Sequence, residues 1–95
     1  MNQQQMMKLR KLQKQMQDAQ RELEEAEYVG TAGGVVSVKI KGTHEVLEVK
    51  IEKEALEDDI EMVQDMIVVA FNEANKKIDE ASEKAMGPFA SMGLF

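Results

Sequence analysis

The stretch VVSVKIKGTHEVLEVKI, residues 35–51, decides the fold because apolar and polar residues alternate along it in two runs. Alternation places every second side chain on the same face of a strand. The apolar residues that would share a face are Val36, Val38 and Ile40 in the first run, and Leu47, Val49 and Ile51 in the second. Residues 42–45, GTHE, join the runs with turn-forming residue types. The stretch predicts an antiparallel β-hairpin with one buried face.

A long amphipathic helix is predicted before the hairpin. Its apolar positions recur every three or four residues, at Leu9, Leu12, Met16, Ala19, Leu23 and Ala26. At 100° per residue, Arg10, Lys11, Lys14 and Arg21 project away from this apolar seam. Acidic residues and Gly30 would end the helix, and TAGG, residues 31–34, would form a turn-rich link. EYVG, residues 27–30, could supply a short third strand.

A second long helix is predicted after the hairpin, with Asp58 and Glu61 as its capping pair. The helical spacing begins at Ile60 and would end at Gly87-Pro88. Its segment MIVVAF, residues 66–71, is apolar on all sides, and one small sheet cannot cover both sides. We therefore expect a homodimer with Met66, Val69 and Phe71 at or beside the subunit interface. Residues 1–86 would form a single domain, and residues 87–95 a flexible tail.

The composition favours a small cytoplasmic binding protein over an enzyme. The 95 residues include no cysteine, and no apolar run approaches the length of a membrane span. His44, the only histidine, is expected to be a solvated turn residue. The acidic run over residues 54–65 lacks a calcium-loop pattern, and GTAGG lacks the lysine of a phosphate loop. We expect no catalytic residue, no metal, no cofactor and no small-molecule substrate.

The basic side of the first helix leaves three interpretations open. Residues 1–17 hold four basic residues and no acidic one, although the whole chain has a formal net charge of −6. These side chains could form an ordinary solvated face, bind the phosphates of duplex nucleic acid, or bind a membrane surface. The membrane is the weakest of the three, because the apolar side is narrow and has no Trp or Phe.

Three stretches in this order resemble the YbaB/EbfC family of bacterial nucleoid-associated proteins. They are MMKLRKLQKQMQDAQRELEEAE (residues 6–27), GTAGGVVSVKIKGTHEVLEVKI (30–51) and LEDDIEMVQDMIVVAFNEANKKIDE (56–80). The resemblance implies an α+β fold with two layers. A long N-terminal helix, a small antiparallel three-stranded sheet and a long C-terminal helix would form a tweezers-like homodimer.

The resemblance also implies binding of double-stranded DNA, with roles in nucleoid organisation and gene regulation. Its DNA-contact candidates are Lys8, Arg10, Lys11, Lys14 and Arg21 of the first helix, with Lys76 and Lys77 of the last helix as secondary ones. Acidic neighbours of those two lysines leave their role open. No base-reading pattern is evident, so we expect mainly contacts to the DNA backbone. The alternative is a dimeric adaptor that binds a protein through its Met-rich helices and tail.

Overall fold

The computed structural model describes residues 2–93, and its elements follow the predicted order of helix, sheet and helix. They are α1 (Gln3–Glu25), β1 (Glu27–Ala32), β2 (Val36–Lys41), β3 (Val46–Ile51), α2 (Lys53–Asp58) and α3 (Ile60–Ser91). The predicted α+β class with its three-stranded antiparallel sheet is confirmed. The short helix α2 was not predicted, and it fills the connection between the sheet and α3.

The sheet has the strand order β1-β2-β3, and both of its strand pairs are antiparallel. Val38 lies opposite Gly30 of β1 and Val49 of β3, so these three residues share one face. On β2 the predicted alternation holds, because Val36, Val38 and Ile40 are all buried. The central strand therefore supplies the base of the core.

The third strand differs from its prediction in register and in burial. A shift between Lys39 and Ile40 places Val46 opposite Ile40, so Leu47 becomes an extra residue in the strand. Val46 remains 51% exposed and Val49 43% exposed. The prediction of a buried face was therefore wrong for Leu47 and Val49 within one chain, whereas Ile51 is half-buried against the core. The reason is that α3 packs over β1 and β2 and leaves β3 largely uncovered.

Both predicted ends of α3 were wrong. Asp59, not Asp58, is the N-cap, and its side chain accepts a hydrogen bond from the Met62 amide at 3.0 Å. Asp58 instead ends α2. The helix also continues past Gly87 and Pro88 to Ser91. A proline this near the C-terminal end removes one helical hydrogen bond without ending the helix. Residues 94 and 95 of the predicted tail lie outside the described residues.

The molecule divides into two regions, which we call the body and the prong. The body consists of the sheet, α2 and α3 as far as Ile78. It contains Gly30 and every buried hydrophobic residue in the described chain: Ala32, Val36, Val38, Ile40, Ala55, Val63, Ala70, Ala74 and Ile78. The prong consists of α1 and residues 79–91 of α3, which pack side by side. Together they give an elongated shape of 68 × 20 × 14 Å.

Candidate nucleic-acid interface

Helix α1 has two chemically different sides. Its side chains Leu9, Leu12, Met16 and Leu23 are half-buried, and none of its residues is fully buried. Its five cationic residues are all exposed: Lys8, Arg10, Lys11, Lys14 and Arg21. A helix of 23 residues is about 35 Å long at about 1.5 Å per residue. The structure thus presents the five cations along a rod that projects from the body.

The N-terminal end of α1 is closed by local hydrogen bonds. The Asn2 side chain accepts from the Gln5 amide at 2.8 Å, and the Gln5 side chain accepts from the Asn2 amide at 3.2 Å. This reciprocal pair satisfies two amides that a helix otherwise leaves open. The first turn contains no acidic residue. The positive end of the helix dipole therefore adds to the positive charge of the nearby lysines.

Most of the α1 cations have no acidic partner within the described residues. Arg21 lies 3.6 Å from the Asp18 carboxylate, and both side chains are exposed, so this pair is weak. No ion pair over residues 2–93 involves Lys8, Arg10, Lys11 or Lys14. Four of the five charges are consequently available to an external anion.

The two secondary candidates, Lys76 and Lys77, lie in the body and differ from each other. The Lys77 ammonium donates to the Val29 carbonyl at 2.6 Å and lies 3.5 Å from the Glu73 carboxylate. Glu73 in turn accepts from the Thr31 amide at 3.3 Å. Lys77 thus helps to cover the free edge of β1, and Lys76 is exposed. The structure does not bring Lys76 and Lys77 together with the five cations of α1.

The three predicted interface residues lie on different sides of α3. Met66 packs over Gly33 and is half-buried, and Phe71 is half-buried against the core. Val69 is 54% exposed. Met66 and Phe71 therefore already contact their own chain, and Val69 is the most open of the three.

Exposed apolar side chains lie on β3 and on one side of α3, and sequence reasoning missed their extent. The His44 ring nitrogen Nδ1 lies 3.0 Å from the Asn75 side-chain oxygen, so the Asn75 side of α3 faces the β2–β3 turn. Residues three, four or seven positions apart share one side of a helix. Val68 and Phe71 are thus on the same side as Asn75. We use the name open corner for Val46, Val49, Val68 and Phe71, because Val46 and Val49 share a sheet face with the buried Ile40 and Val38, over which α3 packs.

The one histidine lies in the turn between β2 and β3. His44 is exposed in a turn, as expected, with a φ of 73°. No group of three or more His, Asp or Glu side chains within residues 2–93 could hold a metal ion. No helix among the described residues is both long enough and apolar enough to cross a membrane.

Comparison with known proteins identifies relatives over nearly the whole chain. The model of the YbaB/EbfC DNA-binding family matches residues 1–94. A nucleoid-associated protein of Corynebacterium urealyticum is 39% identical over 90 residues, covering 93% of this chain and 86% of its own. A nucleoid-associated protein of Chloroflexus aurantiacus is 41% identical and covers 100% of both chains.

A solved structure also matches. The crystal structure of protein HP0035 from Helicobacter pylori superposes with a TM-score of 0.74, covering 95% of this chain and 98% of that chain. The two sequences are 23% identical, so this likeness establishes the shared fold.

Proposed function

Because the chain belongs to the YbaB/EbfC DNA-binding family, we propose that it binds double-stranded DNA as a homodimer through the α1 cations. Binding would occur mainly through DNA phosphates, and the protein would act at the nucleoid in DNA organisation and gene regulation. The observation that carries this proposal is the exposed row of α1 cations, four of which have no acidic partner within residues 2–93.

Phosphate binding explains how a chain with a formal net charge of −6 can bind DNA. Each phosphate that a cation neutralises releases condensed counterions. A local row of cations therefore favours DNA binding even when the rest of the protein is acidic. The acidic body would be repelled by DNA, which would direct the approach towards the prong. The lack of an evident base-reading pattern favours backbone contacts with little sequence discrimination.

The homodimer is supported by the open corner. Val68 is 59% exposed and Val49 43% exposed, and Val49 is paired with the buried Val38. Exposed apolar side chains grouped in this way are typical of protein contact sites. A two-fold axis would bring the same surface from a second copy against it and would pair the two prongs. Phe71 belongs to this surface, and Met66 and Val69 remain candidates on another side of α3.

A binding role rather than an enzymatic one follows from the same surfaces. The side chains assigned to function are cations on a convex helix and apolar residues on an open surface. Neither arrangement supplies a nucleophile and a base in one pocket. The proposed location, which goes with DNA binding, is the nucleoid within the cytoplasm.

A salt titration of duplex binding tests the DNA proposal. If a dimer neutralises about six phosphates, the slope of log affinity against log salt should be near −5, from roughly −0.9 per contact. Replacing both Lys11 and Lys14 by Glu should abolish binding and leave the dimer folded. The control replaces Lys50 and Lys53 of the body by Glu, which changes the charge equally and should retain most of the affinity. Wild-type affinity in the Lys11/Lys14 variant would refute the proposal.

The adaptor function is the competing outcome of this titration. Met6, Met7 and Met92 are exposed, and methionine suits adaptable protein contacts. Apolar docking weakens little with ionic strength, whereas phosphate binding weakens steeply. A chain that fails to shift duplex DNA at low salt would favour the adaptor.

Light scattering tests the dimer separately. Val68→Asp should give monomer or aggregate, because association would bury an unpaired charge in the open corner. Val69→Asp tests the other side of α3 in the same way. A wild-type chain that remains a folded monomer at micromolar concentration would exclude the dimer.

A further inference from the structure

The base of α1 is held against the sheet through its own backbone carbonyl groups, which accept hydrogen bonds from the sheet. The Gly42 amide donates to the Ala26 carbonyl at 3.2 Å, and the Tyr28 hydroxyl donates to the Leu23 carbonyl at 3.4 Å. A Cβ added at Gly42 would overlap the Leu23 carbonyl oxygen and lie 2.9 Å from the Glu24 Cα. The last turn of α1 therefore rests directly on the β2–β3 turn.

Gly42 is not required by its own backbone conformation. The described glycines with positive φ are Gly33, Gly34 and Gly93, and Gly42 is not among them. Its missing side chain matters because of the helix that touches it. Adding a side chain at Gly42 would force α1 to move, because the atoms that the new Cβ overlaps belong to the backbone of α1.

A displacement at the base is enlarged towards the DNA-binding residues. The next contact of α1 is with α3, where Ala19 and Leu23 meet Ala81 and Ala85 along a groove. With Ala19 as pivot, Leu23 lies about 6 Å to one side and Lys11 about 12 Å to the other, at about 1.5 Å per residue. A shift at Leu23 is thus roughly doubled, and reversed in direction, at Lys11.

We propose that Gly42, assisted by Tyr28, is a positioning residue for DNA binding. It sets the angle at which the prong leaves the body and hence the separation of the two prongs in a dimer. This inference rests on the proposed function, because only a paired assembly needs a defined separation. Two linked sites bind one ligand together only when their spacing fits it.

The test measures prong separation and DNA affinity in the same variants. The chain has no cysteine, so Gln4→Cys allows one spin label at each prong tip. Gly42→Ala should change the label-to-label distance by several ångströms and weaken duplex binding about 10-fold or more through lost simultaneous contact. Gly87→Ala is the matched control, because its added Cβ meets nothing within 4 Å. It should alter neither quantity.

A second variant covers the case in which Gly42→Ala does not fold. Tyr28→Phe removes the hydrogen bond to the Leu23 carbonyl without adding an atom, and it should broaden the distance distribution and weaken binding. Folded Gly42→Ala or Tyr28→Phe dimers with wild-type distances would overturn the inference. Altered distances with unchanged affinity would also overturn it. If the wild type does not bind DNA, the proposed function fails, and the distances still report whether Gly42 sets the prong angle.

Discussion

The body and the prong differ in how their helices are stabilised. In the body, α3 contributes Val63, Ala70, Ala74 and Ile78 to a core shared with β2, and each of these residues is buried. In the prong, α1 has 23 residues and buries none of them completely. Most of the stability of a helix in a protein comes from packing of its amphipathic face, so α1 depends on its partial contact with α3. Burial is therefore concentrated in one region and the exposed cations of α1 lie in the other.

This separation has a physical reason. A cation that is to bind phosphate, as proposed for α1, must remain in water until the ligand arrives, and a core residue must leave water. A single helix could serve both purposes only with a wider apolar side than the α1 seam. The chain instead uses the sheet and α3 for burial, which leaves the surface of α1 free for charge. Substitutions of the same kind in the two regions should consequently have very different effects.

The largest effect is expected from Gly30→Ala in the body. A Cβ at Gly30 would overlap the Ala70 carbonyl oxygen and lie 2.8 Å from the Ala74 nitrogen. Both contacts are with helix backbone inside the core, so α3 would have to move off the sheet. We expect a loss of about 3 kcal/mol in the free energy of unfolding, which is at the upper end of the usual cost of overpacking a core. Urea denaturation measures it, and a midpoint equal to that of the wild type would contradict the separation of roles.

A smaller loss is expected from Asp59→Ala, which removes the N-cap of α3. The Asp59 carboxylate accepts from the Met62 amide at 3.0 Å, and α3 carries the core of the body. Loss of such a cap costs about 1 kcal/mol. The thermal midpoint should fall by several degrees. Asp58→Ala is the control, because Asp58 is not the cap, and an equal fall in that variant would contradict the assignment.

A still smaller change is expected from His44→Gly. His44 has a φ of 73°, a conformation that costs about 1 kcal/mol for most residues and almost nothing for glycine. The substitution also removes the contact of the His44 ring with Asn75. The two effects oppose each other, so stability should change by only a few tenths of a kcal/mol. Asn75→Ala isolates the contact, and a large loss in either variant would show that the turn is a main support of α3.

The smallest global effect is expected from Asn2→Ala at the tip of the prong. It removes the same kind of cap as Asp59→Ala, since the Asn2 side chain accepts from the Gln5 amide at 2.8 Å. The first turns of α1 should fray without unfolding the body. Amide hydrogen exchange should become faster near residues 3–8, with the thermal midpoint unchanged. A fall in the midpoint equal to that of Asp59→Ala would show that prong and body unfold together.

The sequence alone predicted the two long helices, the hairpin and the exposed charges, and it missed the short helix α2. The spacing of Leu9, Leu12 and Met16 predicted α1, and the alternation from Val36 to Ile40 predicted β2, because periodicity records which side of an element is apolar. The same spacing predicted that Arg10, Lys11, Lys14 and Arg21 are exposed on the side away from the seam. The dimer and the DNA contacts stay predictions that the structure makes specific.

The tertiary structure decided everything that depends on which elements lie side by side. Val49 and Val38 occupy equivalent positions in the alternating patterns of their strands. Val49 is nevertheless exposed, because α3 packs over β1 and β2. Only that placement carries Lys77 to the Val29 carbonyl, 48 residues away in the chain. Likewise, no periodic pattern in the sequence indicates that Gly42 lies against the Leu23 carbonyl. Periodicity describes one element at a time, whereas these features depend on the distance between two elements.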